Sequence, residues 1–155
     1  MGTIIPSILF FYQKNRIGIK CNTYKLLRRV FMGNNIIITN NPLVKEKYSE
    51  MFLVEYYDLG FLEMLELVRD KIHLGYKLLT HPLSSSVKPN ETPYKTIIVS
   101  IGEKLDNDSL LIIENCILTA KKLIKDTGLP KWNESILEDF QVVDLSIIEG
   151  AINKL

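Results

Sequence analysis

Three consecutive isoleucines in NIIIT, Asn35 to Thr39, constrain this chain more than any other feature. A short β-branched run without polar alternation is the pattern of a strand buried on both faces, and such a strand needs other elements on each side of its sheet. Asn40-Asn41-Pro42 follows at once. Asparagine caps helices well and proline is tolerated at the first helical position, so the sequence predicts a helix over about Leu43 to Met51. Leu53 to Tyr57 (LVEYY) reads as a second strand. Beyond Gly60, Phe61, Leu65, Val68 and Ile72 recur at the spacing of one helix face, and Gly75 stands where a left-handed cap would end that helix.

Tyr76 to Thr80 reads as a third strand and KTIIVSI, from Lys95, as a fourth. The N-cap residues Asp106-Asn107-Asp108-Ser109 open a helix striped by Ile113, Ile117, Ala120 and Ile124, which Gly128 and Pro130 terminate. A last helix, about Asn133 to Asn153, carries Ile136, Phe140, Val143, Ile147 and Ala151. The expected fold is therefore α/β: a three-layer αβα domain with a short, mainly parallel sheet of about four strands and two C-terminal helices. Helical connections make the first three strands parallel, with right-handed crossovers. Strand four follows no helix and can run antiparallel to strand three.

Length fits one domain, and 46% apolar with 24% charged residues is an ordinary globular composition. Charge is unevenly spread. Six of the 19 Lys and Arg and none of the 18 acids fall in residues 1–33, leaving thirteen bases against all the acids, a net of −5. An acidic body lacks the clustered basic face that nucleic acid requires. In the basic head the apolar run Ile4 to Tyr12 precedes the charges and no small-residue cleavage site follows, unlike a signal peptide. At nine residues with a proline inside, that run is too short to span a membrane. Cys21 and Cys116 form no CxxC pair, which fits a reducing cytoplasm.

Arg28-Arg29 can be encoded by AGGAGG, a ribosome-binding sequence, with Met32 two codons further on. Residues 1–33 are accordingly expected to be an extension outside the native fold, and 34–155 a single α/β domain.

Open α/β sheets bind ligands beyond the carboxyl ends of their strands, where strand order reverses. With an order beginning 2-1-3, that crevice lies between strands one and three, flanked by loops 39–44 and 80–95. The second loop contains His81 to Pro93, thirteen residues with three prolines and three serines, long enough to imply function. Thr39, Asn40, Asn41 and Pro42 offer amides and a helix start to an anion, or the asparagines simply cap the helix. His81 is the one acid/base candidate, or is hydrogen-bonded to neighbouring backbone. Ser84 and Ser85 can donate to a phosphate or carboxylate, or only turn the chain. Lys88 and Lys95 can pair with an anion, or remain solvated. Asn90 and Glu91 lie between Pro89 and Pro93, which stiffen the loop.

No GxGxxG, GxxxxGK[ST] or GxSxG occurs, and His73 lacks partners at zinc-ligand spacing, so no metal is indicated and the sequence leaves the cofactor unknown. Cys116 lies in a helical pattern and reads as core. Trp132, after Pro130, reads as packing at the join of the last two helices.

The segments IIITNNPLVKEKY and LLTHPLSSSVKPNETPYKTIIVS, with the helix that follows, resemble the GrdX family over roughly residues 35–125. The HPL…KPNETPYK segment is the specific part. The resemblance implies a cytoplasmic accessory protein encoded beside glycine, sarcosine and betaine reductase components, with no catalytic residue to carry over. Two classes of function follow. One is a non-catalytic accessory or regulatory protein that binds a small anionic metabolite or a reductase subunit through the two loops. The other is an enzyme with His81 as acid/base in the same crevice, oriented by Asn40, Asn41 and Lys88. A homo-oligomeric packing role is a third. For the head, N-terminal sequencing of native protein is expected to begin at Met32, and peptides from residues 1–31 would contradict that start.

Overall fold

In the computed structural model, which describes residues 34–155, four strands form one sheet in the order β2-β1-β4-β3. The expectations placed on residues 1–33 lie outside the described residues. β1 (Asn35–Thr39) and β4 (Thr96–Ile101) are the inner strands; β2 (Leu53–Tyr56) and β3 (Tyr76–Leu78) are the edges. Side-chain type sorts them. Ile36 to Ile38 and Ile97 to Val99 are at most 2% exposed, whereas β2 is only half-buried throughout.

β1 and β2 pair in parallel, with Ile37 opposite Val54, across helix α1 (Pro42–Tyr48). β4 runs antiparallel to both of its neighbours, with Ile98 opposite Ile37 and Val99 opposite Leu78. The first three strands therefore point the same way, as their connections require, and β4 lies against them. The sheet is mixed, with one parallel pair. One expectation fails in detail: strands one and three are not neighbours, because β4 sits between them. The apolar run Ile97 to Val99 can be covered on both faces only at an inner position, and the short YKL strand is left for the edge.

The layers follow from alternation along the two inner strands. Ile36, Ile38, Ile97 and Val99 face helices α2 (Phe61–His73) and α3 (Asn107–Thr127), meeting Leu65, Val68 and Ile117. Ile37 and Ile98 face α1 and α4 (Glu134–Ile152), meeting Val44, Tyr48 and Ile148. Each such buried side chain contributes roughly 1.5–3 kcal/mol. The stripe expected on α2 is the stripe observed, and Gly75 ends that helix at φ 94. Side chains cap the other helices: Asn41 accepts from Leu43 N–H, Asp106 from Ser109 N–H and Asn133 from Ile136 N–H. No helix among the described residues is long and apolar enough to cross a membrane.

α4 turns a different face inward from the expected one. Asp144 and Ile148 are buried, with Leu145, Ile152 and, from the expected stripe, Ala151 against the same core, while Ile136 and Val143 are 40% exposed. The cause is polar. The Asp144 carboxylate accepts from Thr96 N–H at 3.0 Å, Thr96 Oγ1 at 2.7 Å and Asn41 Nδ2 at 2.9 Å. These bonds select the Asp144 face for a helix that is apolar on several sides. Asp144→Ala would leave three buried donors without an acceptor, each worth about 1–3 kcal/mol. The variant is expected to lose about 3 kcal/mol or more in urea unfolding, while exposed Val142→Ala stays within about 0.5 kcal/mol.

Candidate functional site

Adjacent asparagines leave the end of β1 in opposite directions. Asn41, fully buried, donates from Nδ2 to Asp144 and to the Gln141 carbonyl, both at 2.9 Å. Its Oδ1 caps α1 at Leu43 N–H, 3.0 Å away. Asn40 turns the other way. Its Nδ2 donates to the carbonyls of Leu59 and Pro93, each at 2.8 Å, and its Oδ1 accepts from Lys95 N–H at 2.6 Å. One side chain thus joins the β2–α2 turn to the end of the long loop, with both amide hydrogens donated and the amide oxygen accepting. Thr39, also buried, shares a 2.7 Å hydrogen bond with Thr96 Oγ1 and accepts from Asn41 N–H at 2.9 Å.

Where Asn40 draws the two segments together, a cleft of about 370 Å³ opens at the carboxyl ends of β1 and β2. Asn40 and Pro42 form part of its base. Tyr56, Asp58, Gly60 and Phe61 line one side; Thr92, Pro93 and Tyr94, with Trp132 before α4, line the other. Both aromatic residues on that second side are held by their polar ends. Gln141 Nε2 donates to Tyr94 Oη at 3.2 Å, and Trp132 Nε1 donates to the Glu91 carbonyl at 3.2 Å. Burial raises the Tyr56 phenol above its ordinary value, and the proximity of Asp58 and Tyr94 raises it further. Lys45 Nζ lies 4.5 Å from the Tyr56 ring centroid, a cation–π contact at the edge of the site.

The long loop divides into two halves. Its first half is bonded to itself: His81 is exposed, its Nδ1 accepts from Leu83 N–H at 3.1 Å, and Ser84 N–H donates to the His81 carbonyl. Ser85 Oγ donates to the Val87 carbonyl at 3.0 Å. None of the three lines the cleft. Lys88 pairs with Glu91 at 3.5 Å on the exposed surface. The second half ties into the fold, where Asn90 Nδ2 donates to Thr127 Oγ1 at 2.8 Å. The division follows from strand order. β3 releases the loop one strand away from β1, and the loop comes beside β1 only where it enters β4. Of the residues singled out from the sequence, the structure brings Asn40 and Pro42 to the cleft and Thr39 and Asn41 beneath it.

Tyr56, Asp58, Tyr94 and Trp132 escaped the sequence reading. The rule that ligands gather at strand carboxyl ends applies equally to β2, and YYD at its end carried the signal. Tyr94 and Trp132 became legible only with the position of α4. No group of acids, histidines and cysteines able to hold a metal occurs among the described residues.

Lys95 is 4% exposed, and its amine makes no hydrogen bond or ion pair with any described residue. Thr96 faces α4, so alternation puts Lys95 on the opposite face, toward Cys116 of α3. Burial pushes the amine below its ordinary 10.5, with Asp144 and Cys116 opposing the shift. Burial likewise raises the Cys116 thiol, against a hydrogen bond from the Leu83 backbone and the Lys95 charge. The unfolded chain therefore holds the Lys95 proton more tightly. This residue's cost is full below its folded value and fades as pH rises to 10.5. Lys95→Met is expected to stabilise the fold by about 1–3 kcal/mol at neutral pH. Denaturant curves should show that gain shrinking from pH 7 toward about pH 10, as the sign of the linkage requires; a destabilised variant contradicts this account of the buried amine.

Comparison with curated proteins gives no match, and neither does comparison with solved structures. A family model described as GrdX-like protein matches residues 36–153, nearly the whole of the α/β unit, including both asparagines, the long loop, Asp144 and every residue named in the cleft. The chain belongs to the GrdX-like protein family.

Proposed function

We propose that this chain is a non-catalytic accessory or regulatory protein of the glycine, sarcosine and betaine reductase system. It takes a small metabolite with an anionic group into the cleft where loops 39–44 and 80–95 converge. The observation that carries the reading is Asn40. Its three side-chain bonds fix the two loops around the cleft, so little ordering cost falls on binding. Lys45 beside Tyr56 is the group that favours the anionic end, since the start of α2 is already taken by the Glu63 carboxylate, which accepts from Gly60 N–H at 2.8 Å. Family membership supports the reductase context.

Binding is favoured over acid/base chemistry by the position of His81, which faces solvent and serves its own loop. A second reading, docking of a reductase subunit, draws on the outer face of α4, where Ile136, Val142 and Val143 are exposed. Thermal unfolding of the full chain with glycine, sarcosine, betaine, acetyl phosphate and phosphate separates the two. At least one is expected to raise the melting temperature, by an amount equivalent to about 2.7 kcal/mol at a hundredfold excess over Kd. No rise with any of them contradicts the metabolite reading and leaves the α4 face to be tested against the reductase subunits.

A further inference from the structure

We propose that the cleft selects the other end of its ligand as a methylated ammonium, held by the rings of Tyr94 and Trp132 and by the carboxylate of Asp58. The inference rests on the reading of the cleft as a metabolite site and adds the chemical class of what enters it.

Three observations converge. First, aromatic residues stand on both sides of the cleft: Tyr56 and Phe61 on one, Tyr94 and Trp132 on the other. Aromatic faces attract cations, and do so most strongly when the cation sheds its water easily. Tyr56 already engages one cation, Lys45, and Tyr94 and Trp132 are steadied by bonds at their polar ends. Second, Asp58 is the charged residue of the lining, and it makes no hydrogen bond or ion pair with any described residue. An unpaired carboxylate beside these rings gives the cleft the sign that a cationic group requires.

Third, the polar atoms around the cleft are mostly engaged. The Leu59 and Pro93 carbonyls accept from Asn40, the Glu91 carbonyl accepts from Trp132, and Tyr94 Oη accepts from Gln141. A primary ammonium has three N–H donors and a tightly held hydration shell, and it needs an acceptor for each donor to replace that shell. The lining side chains left to accept, Asp58 and the Tyr56 hydroxyl, stand on one side of the cleft, and the Tyr94 and Trp132 side offers rings instead. A trimethylated ammonium has no N–H to satisfy and presents methyl groups to the rings, so the same lining suits it better. With Lys45 near the anionic end, the matching ligand is a small zwitterion bearing a methylated nitrogen and a carboxylate.

Trp132 is the chain's only tryptophan, so its fluorescence reports on this cleft in the full-length protein. Titration with glycine, sarcosine and trimethylglycine is expected to give affinity rising with each stage of methylation. tert-Butylacetate, which has the shape of trimethylglycine with carbon in place of the cationic nitrogen, should bind at least about tenfold more weakly. Tyr94→Leu should weaken trimethylglycine about tenfold, while Tyr94→Phe, which keeps the ring, stays within about twofold. Asp58→Asn, at an exposed residue, should weaken it about two- to fivefold.

Equal binding of tert-butylacetate would show that apolar filling alone is at work and overturn the proposal. So would glycine binding as tightly as trimethylglycine, or a Tyr94→Leu variant that folds and binds normally. Binding of glycine, phosphate or acetyl phosphate without trimethylglycine would overturn this inference and leave the metabolite site standing; no binding by any of them would overturn both.

Discussion

A single buried carboxylate, Asp144, determines how this fold closes. It accepts from Thr96, at the first residue of β4, and from Asn41, two residues past the end of β1. A carboxylate only accepts, so the direction of the adjoining bonds is set: Asn41 N–H donates to Thr39, Thr39 to Thr96, and Thr96 to Asp144. Replacement of any one member leaves a buried partner unmatched, which makes the arrangement sensitive to error and specific in its geometry. It also fixes the rotation of α4. One turn before Asp144, Gln141 receives Asn41 at its carbonyl and reaches Tyr94 with its side chain. Trp132 stands immediately before the same helix. The far wall of the cleft thus inherits its position from a carboxylate on the opposite face of the sheet from α2 and α3.

Local chemistry made much of this fold legible. The isoleucine runs marked β1 and β4 as strands, Asn41-Pro42 and Asp106 marked helix starts, and Gly75 marked a helix end. In each case the deciding interaction lies within a few residues of the signal. Two features were not legible, for a common physical reason. The stripe Ile136, Phe140, Val143, Ile147 and Ala151 is a regular helical pattern, yet the inward face is chosen by bonds to residues 48 and 103 positions away in sequence. The insertion of β4 between β1 and β3 likewise depends on which strand most needs cover, a comparison among strands and not a property of any one of them.

The same misplacement governed the site. A crevice between strands one and three would have drawn on the whole long loop, with His81 at its mouth. With β4 interposed, only the end of that loop reaches the carboxyl end of β1, and the β2 turn with Tyr56 and Asp58 takes the remaining side. Asn40 and Asn41 lie at the expected place but act through their bonds to protein. Their amides are spent on Leu59, Pro93, Lys95, Asp144 and Gln141. Lys95 adds a different element: a residue only 4% exposed whose amine has no hydrogen-bond or ion-pair partner among the described residues, where Asn90 Oδ1 is likewise buried without a hydrogen bond. Such a group lowers stability where it stands.

The central claim is that ligand enters between the β2 turn and the end of the long loop, against fixed aromatic rings. Intermolecular NOE spectroscopy on the full chain with trimethylglycine tests this most directly. The account predicts cross-peaks from the ligand's methyl protons to the ring protons of Tyr94 and Trp132. Cross-peaks to His81 and the first half of the long loop, with none to either ring, would contradict it.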